Sequence, residues 1–283
     1  VGDITVIALI VGLLGAKLFD IFENWSDFLN HPGDYIFSGG GLTFYGGLIC
    51  AGLAIIYYTK KNRFSIRHLA DAIAPSLMIA YAIGRIGCQV AGDGDWGIYN
   101  TAYKVDAAYE IVTAQPIDFQ NTVQANAGYF SRYYGSLDSI PHTNFPKPEA
   151  LSFLPNWMFG YQYPHNVNRM GVPIAGCNDM YCNQLAVPVF PTPFYEVIFC
   201  TILFFILWAV RKKLKPYGAV FCLYLILNGF ERFMIEKIRV NNKMDFLGFH
   251  PTQAEVISFG LMLAGAAIWI FLWQKNRAHP VAV

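Results

Sequence analysis

Six apolar segments, each about 20 residues long, constrain this chain more than any other feature of its sequence. A helix of that length crosses the roughly 30 Å hydrocarbon core of a bilayer. The segments run near Ile4 to Phe22, Leu42 to Tyr58, Leu69 to Val90, Pro193 to Val210, Gly218 to Ile238 and Thr252 to Trp273. Only 14% of the residues are charged, whereas soluble domains average about 25%. We therefore predict an all-α polytopic membrane protein with six spans.

Basic residues cluster at alternate ends of the predicted spans. They occupy the loop 60–67, the loop 211–215 and the tail 275–277. The positive-inside rule places these segments, and with them the C-terminus, in the cytoplasm. The loop 23–41, which contains no Lys or Arg, and the turn 241–251 are then expected on the opposite side.

Two further features of the chain bear on its class. The formal net charge of +1 gives no indication of a nucleic-acid partner. The first apolar segment contains Lys17 and Asp20 and lacks a basic leader, so we interpret it as a membrane helix rather than a signal peptide. Because the chain begins at Val1, we expect further sequence upstream, and one additional helix there would make seven spans.

A long segment rich in Tyr, Asn and Pro separates the third and fourth predicted spans. It runs from Tyr99 to Phe190 and contains no apolar run long enough to cross a membrane, which predicts an extracytoplasmic head. We expect little regular structure in its first half, Ala102 to Glu149. The predicted division is residues 1–97 for three spans with a Gly-rich outer loop, 98–190 for the head and 191–283 for the last three spans.

Two cysteines, Cys177 and Cys182, lie five residues apart in the predicted head. An oxidising compartment permits a local disulfide between them. Metal binding is the weaker alternative, because no His or further Cys stands at ligand spacing. No metal site is therefore predicted.

Arg85 stands between glycines, in Gly84-Arg85-Ile86-Gly87, at the far end of the third span. A guanidinium stays charged and is costly in hydrocarbon, so this residue is expected to face an anion or a water-filled cavity. The alternative is a helix-packing face of small residues from which the arginine snorkels to the headgroups. The glycines continue past the helix end into an acidic turn, which packing alone does not require. The candidate ligand-binding residues of this stretch are Arg85, Gly92, Asp93, Asp95 and Gly97.

The fifth span carries a charged outer half. Arg232, Glu236 and Arg239 recur at spacings of four and three, on one face of a helix, with Asn228 one turn earlier. A structural ladder of salt bridges explains this pattern as one alternative. The other is a phosphate or phosphoglycerol site, because two arginines against one glutamate leave a positive surplus.

Two more outer segments offer polar candidates. Tyr45 follows the glycine-rich run Gly39 to Gly41, which permits irregular backbone around a cavity, although an interface-belt tyrosine is the alternative. Tyr195 and Glu196 open the fourth span, where Glu196 either pairs with a neighbouring arginine or serves a site. Arginines that converge on a pocket open to lipid suit the headgroup of an anionic phospholipid.

Taken in order, these motifs resemble the prolipoprotein diacylglyceryl transferases of the bacterial inner membrane. The matching landmarks are Gly15-Ala16-Lys17-Leu18-Phe19, Leu42 to Leu48, Asp71-Ala72-Ile73-Ala74-Pro75, Gly84 to Gly97, Pro191 to Glu196, and Arg232-Phe233 with Glu236 and Arg239. Each motif alone is weak, but the ordered set is specific. The resemblance implies a multi-pass transferase with seven helices and no metal or organic cofactor.

The resemblance also implies the reaction and its residues. The diacylglyceryl group of phosphatidylglycerol is transferred to the lipobox cysteine of a preprolipoprotein signal peptide, and glycerol phosphate is released. By motif, Arg85 and Arg232 match essential arginines that hold the phosphate. Asp93 is the closest match to the acidic residue of the signature, and an extra residue before Gly97 leaves Asp95 open.

One departure from the family pattern concerns the base. The family has a histidine before Gly-Gly-Leu, where this chain has Tyr45. A free tyrosine has a pKa of about 10 and is a poor base unless nearby arginines shift it. An inactive relative therefore stays an alternative, as does a transporter or lipid-binding protein, although no repeated halves are evident.

Overall fold

The computed structural model describes residues 2–33, 42–106, 108–240, 244 and 250–278. The chain forms two compact units, Val1–Ala70 and Asp71–Val283. The glycine run Gly39 to Gly41 and most of the turn 241–251 lie outside the described residues.

The first unit contains the helices α1 (Gly2–Glu23), α2 (Trp25–Asn30) and α3 (Phe44–Lys61). Helices α1 and α3 approach each other at glycines. A methyl group added to Gly15 would lie 2.4 Å from Cβ of Cys50, and one added to Gly46 would lie 2.4 Å from Cβ of Phe19. Because lipid is as apolar as the side chains, small residues that allow close backbone approach are what such helices use to pack.

The second unit contains four long helices: α4 (Ile66–Ala91), which begins just before the unit does, α7 (Thr192–Val210), α8 (Ala219–Glu236) and α9 (Gln253–Ala278). Buried apolar side chains of α4, α7 and α8, among them Met78, Leu207 and Val220, form one core. The Asp71 carboxylate of α4 accepts hydrogen bonds from the backbone N–H groups of Gly218 (2.6 Å) and Phe221 (2.9 Å). This side chain satisfies donors that the start of α8 would otherwise leave unpaired.

Long helices occupy all six predicted span positions. Within the described residues, four helices are long and apolar enough to cross a membrane, namely α1, α4, α7 and Gln253–Arg277 of α9. Helix α3 has 18 residues and ends in two lysines, and α8 carries Glu231, Arg232 and Glu236. The mostly helical membrane fold is thus confirmed, while the count of six spans stays a prediction.

The segment between α4 and α7 is more regular than we predicted. It contains the strand pairs β1–β4 (Tyr99–Asn100, His142–Thr143), β2–β3 (Tyr103–Val105, Ile111–Thr113) and β5–β6 (Val172–Pro173, Asn183–Gln184), and the helices α5 (Pro116–Ala125) and α6 (Ala127–Tyr134). The expectation of little regular structure in Ala102 to Glu149 was therefore wrong. Elements of two to ten residues give too short a periodic signal, although Pro116 at the first helical position and Asp118, which accepts from the Gln115 N–H (2.7 Å), mark the start of α5.

Aromatic side chains form the core of this segment. Trp96, Tyr99, Phe130 and Tyr163 are buried together with aliphatic residues from the segment's end. The Tyr99 ring meets that of Phe130 edge-on at 5.8 Å, a favourable geometry for aromatic pairs. Burial raises the pKa of the Tyr99 and Tyr163 hydroxyls, so these groups stay neutral.

A covalent bond closes a small loop near the end of this segment. The structure joins Cys177 and Cys182 in a disulfide, with a Cα–Cα distance of 5.6 Å. The remaining described cysteines are unpaired, and two of them, Cys200 and Cys222, are buried in the helical core.

Candidate functional site

A fully buried carboxylate lies at the centre of the charged residues of the second unit. Glu196, near the start of α7, has no exposed surface. Its carboxylate contacts Arg85 of α4, Arg232 of α8 (3.2 Å) and Arg239, which follows α8 (3.7 Å). Three guanidinium groups from separate parts of the chain therefore converge on one acid.

Asp95 connects two of these arginines on the more open side. One carboxylate oxygen contacts Arg85 and the other contacts Arg239. The Asp95 side chain is 33% exposed, against 12% for Arg85 and 7% for Arg239. Burial alone would raise the pKa of Asp95, but the charges of Arg239 and Arg85 outweigh it and hold that pKa below its ordinary value. Asp95 is therefore ionised at neutral pH.

Gly97 allows the backbone approach that brings Arg239 to Asp95. Gly97 bridges Arg239 as an isolated β-pair, and the next N–H, of Ile98, donates to the Ile238 carbonyl at 2.9 Å. A Cβ on Gly97 would lie 2.6 Å from that same carbonyl oxygen. The hydroxyl of Thr192 donates to the Asp95 carbonyl at 2.6 Å. The glycine and these hydrogen bonds fix the acidic turn against the end of α8.

Arg232 also contacts Glu236 on its own helix, at 3.6 Å and a spacing of four residues. This is one half of the structural ladder considered from the sequence. Arg239 instead contacts Asp95 and Glu196. The positive surplus expected from α8 alone is therefore balanced by carboxylates from other elements, because three arginines meet Asp95, Glu196 and Glu236.

The surroundings of Arg85 contradict the snorkelling alternative. Its side chain is 12% exposed and paired with two carboxylates. Its Nε donates to the Tyr81 hydroxyl at 3.2 Å, and its guanidinium lies 5.2 Å from the centre of that ring. A methyl group added to Gly84 or Gly87 would meet no described atom within 4 Å, so neither glycine serves a tight packing face in the described part of the chain.

Glu231 was not among our candidates, yet it is the least satisfied acid of this region. It is completely buried, and within the described part of the chain neither carboxylate oxygen has a hydrogen-bond partner. It directly precedes Arg232 in Asn228-Gly229-Phe230-Glu231-Arg232. A second acidic residue beside a membrane-embedded arginine was the available signal, since such groups are rarely buried without a role.

The other four predicted residues of the second unit occupy different settings. Gly92 ends α4 with a φ of 62°, and its missing side chain leaves room for Asn166 of the head. The exposed Asp93 accepts a long hydrogen bond from the Asp95 N–H (3.4 Å). Tyr195 contacts the head, because its hydroxyl donates to the Met158 carbonyl at 2.7 Å. Asn228 is half-buried on α8, one turn before Arg232.

Possible cation ligands also occur beside Arg85. Cys88, Asp93 and Asp95 have donor atoms within 4.8 Å of one another. Arg85 already contacts the sulfur of Cys88 (3.4 Å) and the carboxylate of Asp95. The guanidinium group of Arg85 therefore already balances the negative charge that would attract a cation to these side chains.

Tyr45 belongs to the first unit. It lies in the first turn of α3, and its side chain is 50% exposed. Its role stays a prediction.

Comparison with known proteins gives one consistent result. Residues 1–271 match the family described as prolipoprotein diacylglyceryl transferase. A protein of Dehalococcoides mccartyi named phosphatidylglycerol–prolipoprotein diacylglyceryl transferase is 26% identical over 273 residues, which cover 96% of this chain and 76% of the relative.

Relatives with the same name occur in distant bacteria. That of Leptospira interrogans is 27% identical over 321 residues, covering 95% of this chain and 79% of the relative. That of Corynebacterium glutamicum is 23% identical over 286 residues, covering 99% and 72%. The likeness therefore extends through nearly the whole chain.

Proposed function

The chain belongs to the prolipoprotein diacylglyceryl transferase family, and on this premise we propose that its buried arginines bind the phosphate of phosphatidylglycerol. The enzyme acts in lipoprotein maturation. It transfers the diacylglyceryl group to the lipobox cysteine of a preprolipoprotein and releases glycerol phosphate. The convergence of Arg85, Arg232 and Arg239 on Glu196 carries the proposal, since it brings three guanidinium groups from separate parts of the chain to one acid.

For a phosphate to bind, one carboxylate must move away from the arginines, because each arginine is already paired with a carboxylate. Asp95 is the most suitable, since its side chain is 33% exposed whereas that of Glu196 is not exposed at all. A phosphate in the place of the Asp95 carboxylate can accept hydrogen bonds from Arg85 and Arg239. A guanidinium group can donate two parallel hydrogen bonds to a phosphate. Glu196 stays beneath and holds the arginines in position.

The chemistry follows from this arrangement. The cysteine sulfur attacks a glycerol carbon, a C–S bond forms, and the bond between that carbon and the phosphate oxygen breaks. Negative charge grows on the departing oxygen, where preorganised guanidinium groups stabilise it. Arg232 pairs with Glu196 and Glu236, and its positive charge adds to this stabilisation.

The thiol proton also has to leave, since the thiolate is the nucleophile. We propose that Tyr45, which stands where the family has a histidine, accepts this proton when its side chain is present as the phenolate. Tyr45→Phe is then expected to lower kcat at unchanged protein stability, and Tyr45→His to retain activity. If the native protein is inactive and the Tyr45→His variant is active, the result supports the alternative of an inactive relative.

The remaining predicted residues shape the site rather than react. Gly92 and Gly97 allow the acidic turn to form, and Asp93 caps it. Glu236 orients Arg232 from one helical turn away. Tyr195 anchors the start of α7 to the head. We propose that Asn228, one turn before Arg232, contacts the glycerol headgroup.

The same proposal includes the topology. Six helices span the bacterial inner membrane, the basic loops 60–67 and 211–215 and the C-terminus face the cytoplasm, and the segment 98–190 forms an extracytoplasmic head between spans 1–97 and 191–283. The alternation of basic ends along the chain supports this arrangement. The arginine site then lies in the outer leaflet, where a signal peptide presents its cysteine. Lipid and signal peptide both reach it from the membrane.

The transfer itself is testable with purified components. Native-length protein in phosphatidylglycerol vesicles should convert a lipobox peptide into a thioether-linked lipopeptide, followed by mass spectrometry. The matched peptide with serine in place of the cysteine should stay unmodified. Solute flux through the protein without any lipopeptide would favour a transporter and contradict the proposal.

A further inference from the structure

An exposed aromatic loop of the head lies close to the start of a membrane-spanning helix. We name residues 145–157 the aromatic loop. Its large apolar side chains are exposed: Phe153 by 78%, Phe145 by 46%, Trp157 by 38% and Leu151 by 36%. An exposed cluster of this kind marks an interaction surface rather than ordinary surface composition.

Three contacts connect this loop and its neighbour Met158 to the start of α7, two of them to its first turn. The Trp157 ring lies 4.9 Å from that of Phe194, edge to face. The Tyr195 hydroxyl donates to the Met158 carbonyl at 2.7 Å. The Phe145 ring lies 6.0 Å from that of Phe190, two residues before the helix begins. Because α7 is long and apolar enough to cross a membrane, these contacts place the loop at the level of the membrane boundary.

The loop is held rigidly in this shape by its own polar groups. The Lys147 ammonium donates to the carbonyls of Ser152 (3.1 Å) and Leu154 (2.6 Å). The Asn156 amide donates to the Ile111 carbonyl at 2.8 Å. The cation of the loop is thus occupied internally, and the exposed residues near Phe153 include the apolar Leu151 and Pro155 together with Ser152 and one acid, Glu149.

We propose that the aromatic loop is inserted into the outer headgroup region of the bilayer and anchors the head to the membrane. Tryptophan and other aromatic side chains favour this region, where an apolar body and a polar edge are both satisfied. Since Lys147 is engaged with backbone carbonyls, apolar contact drives the insertion, and anionic lipid is not required. The inference rests on the proposed topology and is independent of the transfer chemistry.

An environment-sensitive label tests the insertion directly. Phe153→Cys, labelled with a nitrobenzoxadiazole dye, is placed in nanodiscs that contain headgroup-proximal spin-labelled lipid, without substrate. The matched control is Asp138→Cys on the exposed, polar turn 136–139 of the head. Labelled wild-type protein gives the background from the four unpaired cysteines. Leu151→Cys supplies a second position in the aromatic loop.

We expect quenching at position 153 to be at least about twofold stronger than at 138, equally in phosphatidylcholine and phosphatidylglycerol discs. Equal and weak quenching at both positions would overturn the proposal, as would equal and strong quenching. Protection of the label at 153 only after addition of a signal peptide would assign the loop to peptide binding instead. None of these outcomes depends on whether the protein transfers lipid.

Discussion

At the scale of single residues, one buried acid organises the site. Glu196 contacts all three clustered arginines and has no exposed surface. Removing one partner of a buried ion pair commonly costs about 3–5 kcal/mol, because the other charge stays buried without compensation. The arginines and Glu196 therefore hold one another in position before any substrate arrives.

Arg85→Lys tests whether geometry rather than charge matters. Lysine keeps the positive charge but loses the planar fork that contacts Asp95 and Glu196 together. We expect a fall in kcat/KM of about 100-fold or more, as for the loss of one oxyanion-stabilising donor. The matched control is Arg277→Lys at the end of α9, which should transfer lipid at the wild-type rate. Full activity of Arg85→Lys would remove Arg85 from the phosphate site.

The ion pairs of Asp95 predict that the stability of the protein falls at low pH. Its pKa in the folded protein lies below the ordinary value of 3.8, so ionised Asp95 stabilises the fold. This contribution is complete above about pH 5 and is lost as the pH falls through the folded pKa. Asp95→Asn should therefore melt below wild type at pH 7, and the difference should shrink toward about pH 3. A difference that is constant with pH would contradict the pairing.

Replacing Glu231 with a neutral residue is expected to increase the stability of the protein. Its two carboxylate oxygens have no hydrogen-bond partner in the described chain, and burying such a group typically costs about 1–3 kcal/mol. Glu231→Gln has the same shape and less charge to desolvate, so its thermal midpoint in detergent should rise. Glu236→Gln, which loses a contact with Arg232, should melt lower. The reverse order would show that Glu231 has a stabilising partner.

At the scale of elements, the acidic turn between α4 and β1 depends on close backbone packing. Gly97→Ala would place a methyl group 2.6 Å from the Ile238 carbonyl, and backbone atoms there cannot move aside without shifting Arg239. We expect loss of at least about 2 kcal/mol of stability and most of the activity. Gly128→Ala in α6, where an added methyl meets nothing within 4 Å, should instead be neutral or stabilising by up to about 1 kcal/mol. Equal melting temperatures for the two variants would contradict this role of Gly97.

Element prediction from sequence succeeded where the periodic signal was long. Helices stand at all six apolar segments because about 20 consecutive apolar residues leave the backbone few alternatives in lipid. Little regular structure was predicted for the first half of the head, Ala102 to Glu149, whereas α5, α6, the β2–β3 pair and β4 are present there. Its strands have only two or three residues each, so pairing across the chain, and not local preference, determines them.

At the scale of the whole molecule, the proposed topology separates two loops. Asp138→Cys in the head should react with a membrane-impermeant maleimide in intact cells whose outer membrane has been permeabilised. Lys213→Cys, in the basic loop after α7, should react only after the inner membrane is opened. Labelled wild-type protein is the control for native cysteines. Reaction of both positions from the same side would contradict the placement of the head.

The sequence by itself determined the helical membrane class, the ordered family motifs and three arginines of interest. Each depends on residue type and spacing along one segment. Only the tertiary structure showed that Glu196 joins those arginines and that Asp95 rather than Asp93 bridges Arg85 to Arg239. It also showed that the buried carboxylate of Glu231 has no hydrogen-bond partner among the described residues. The physical reason is that charge balance in a low-dielectric site depends on distances between groups from different elements. The sequence specifies which charges are present, and the packing of α4, α7 and α8 decides which of them meet.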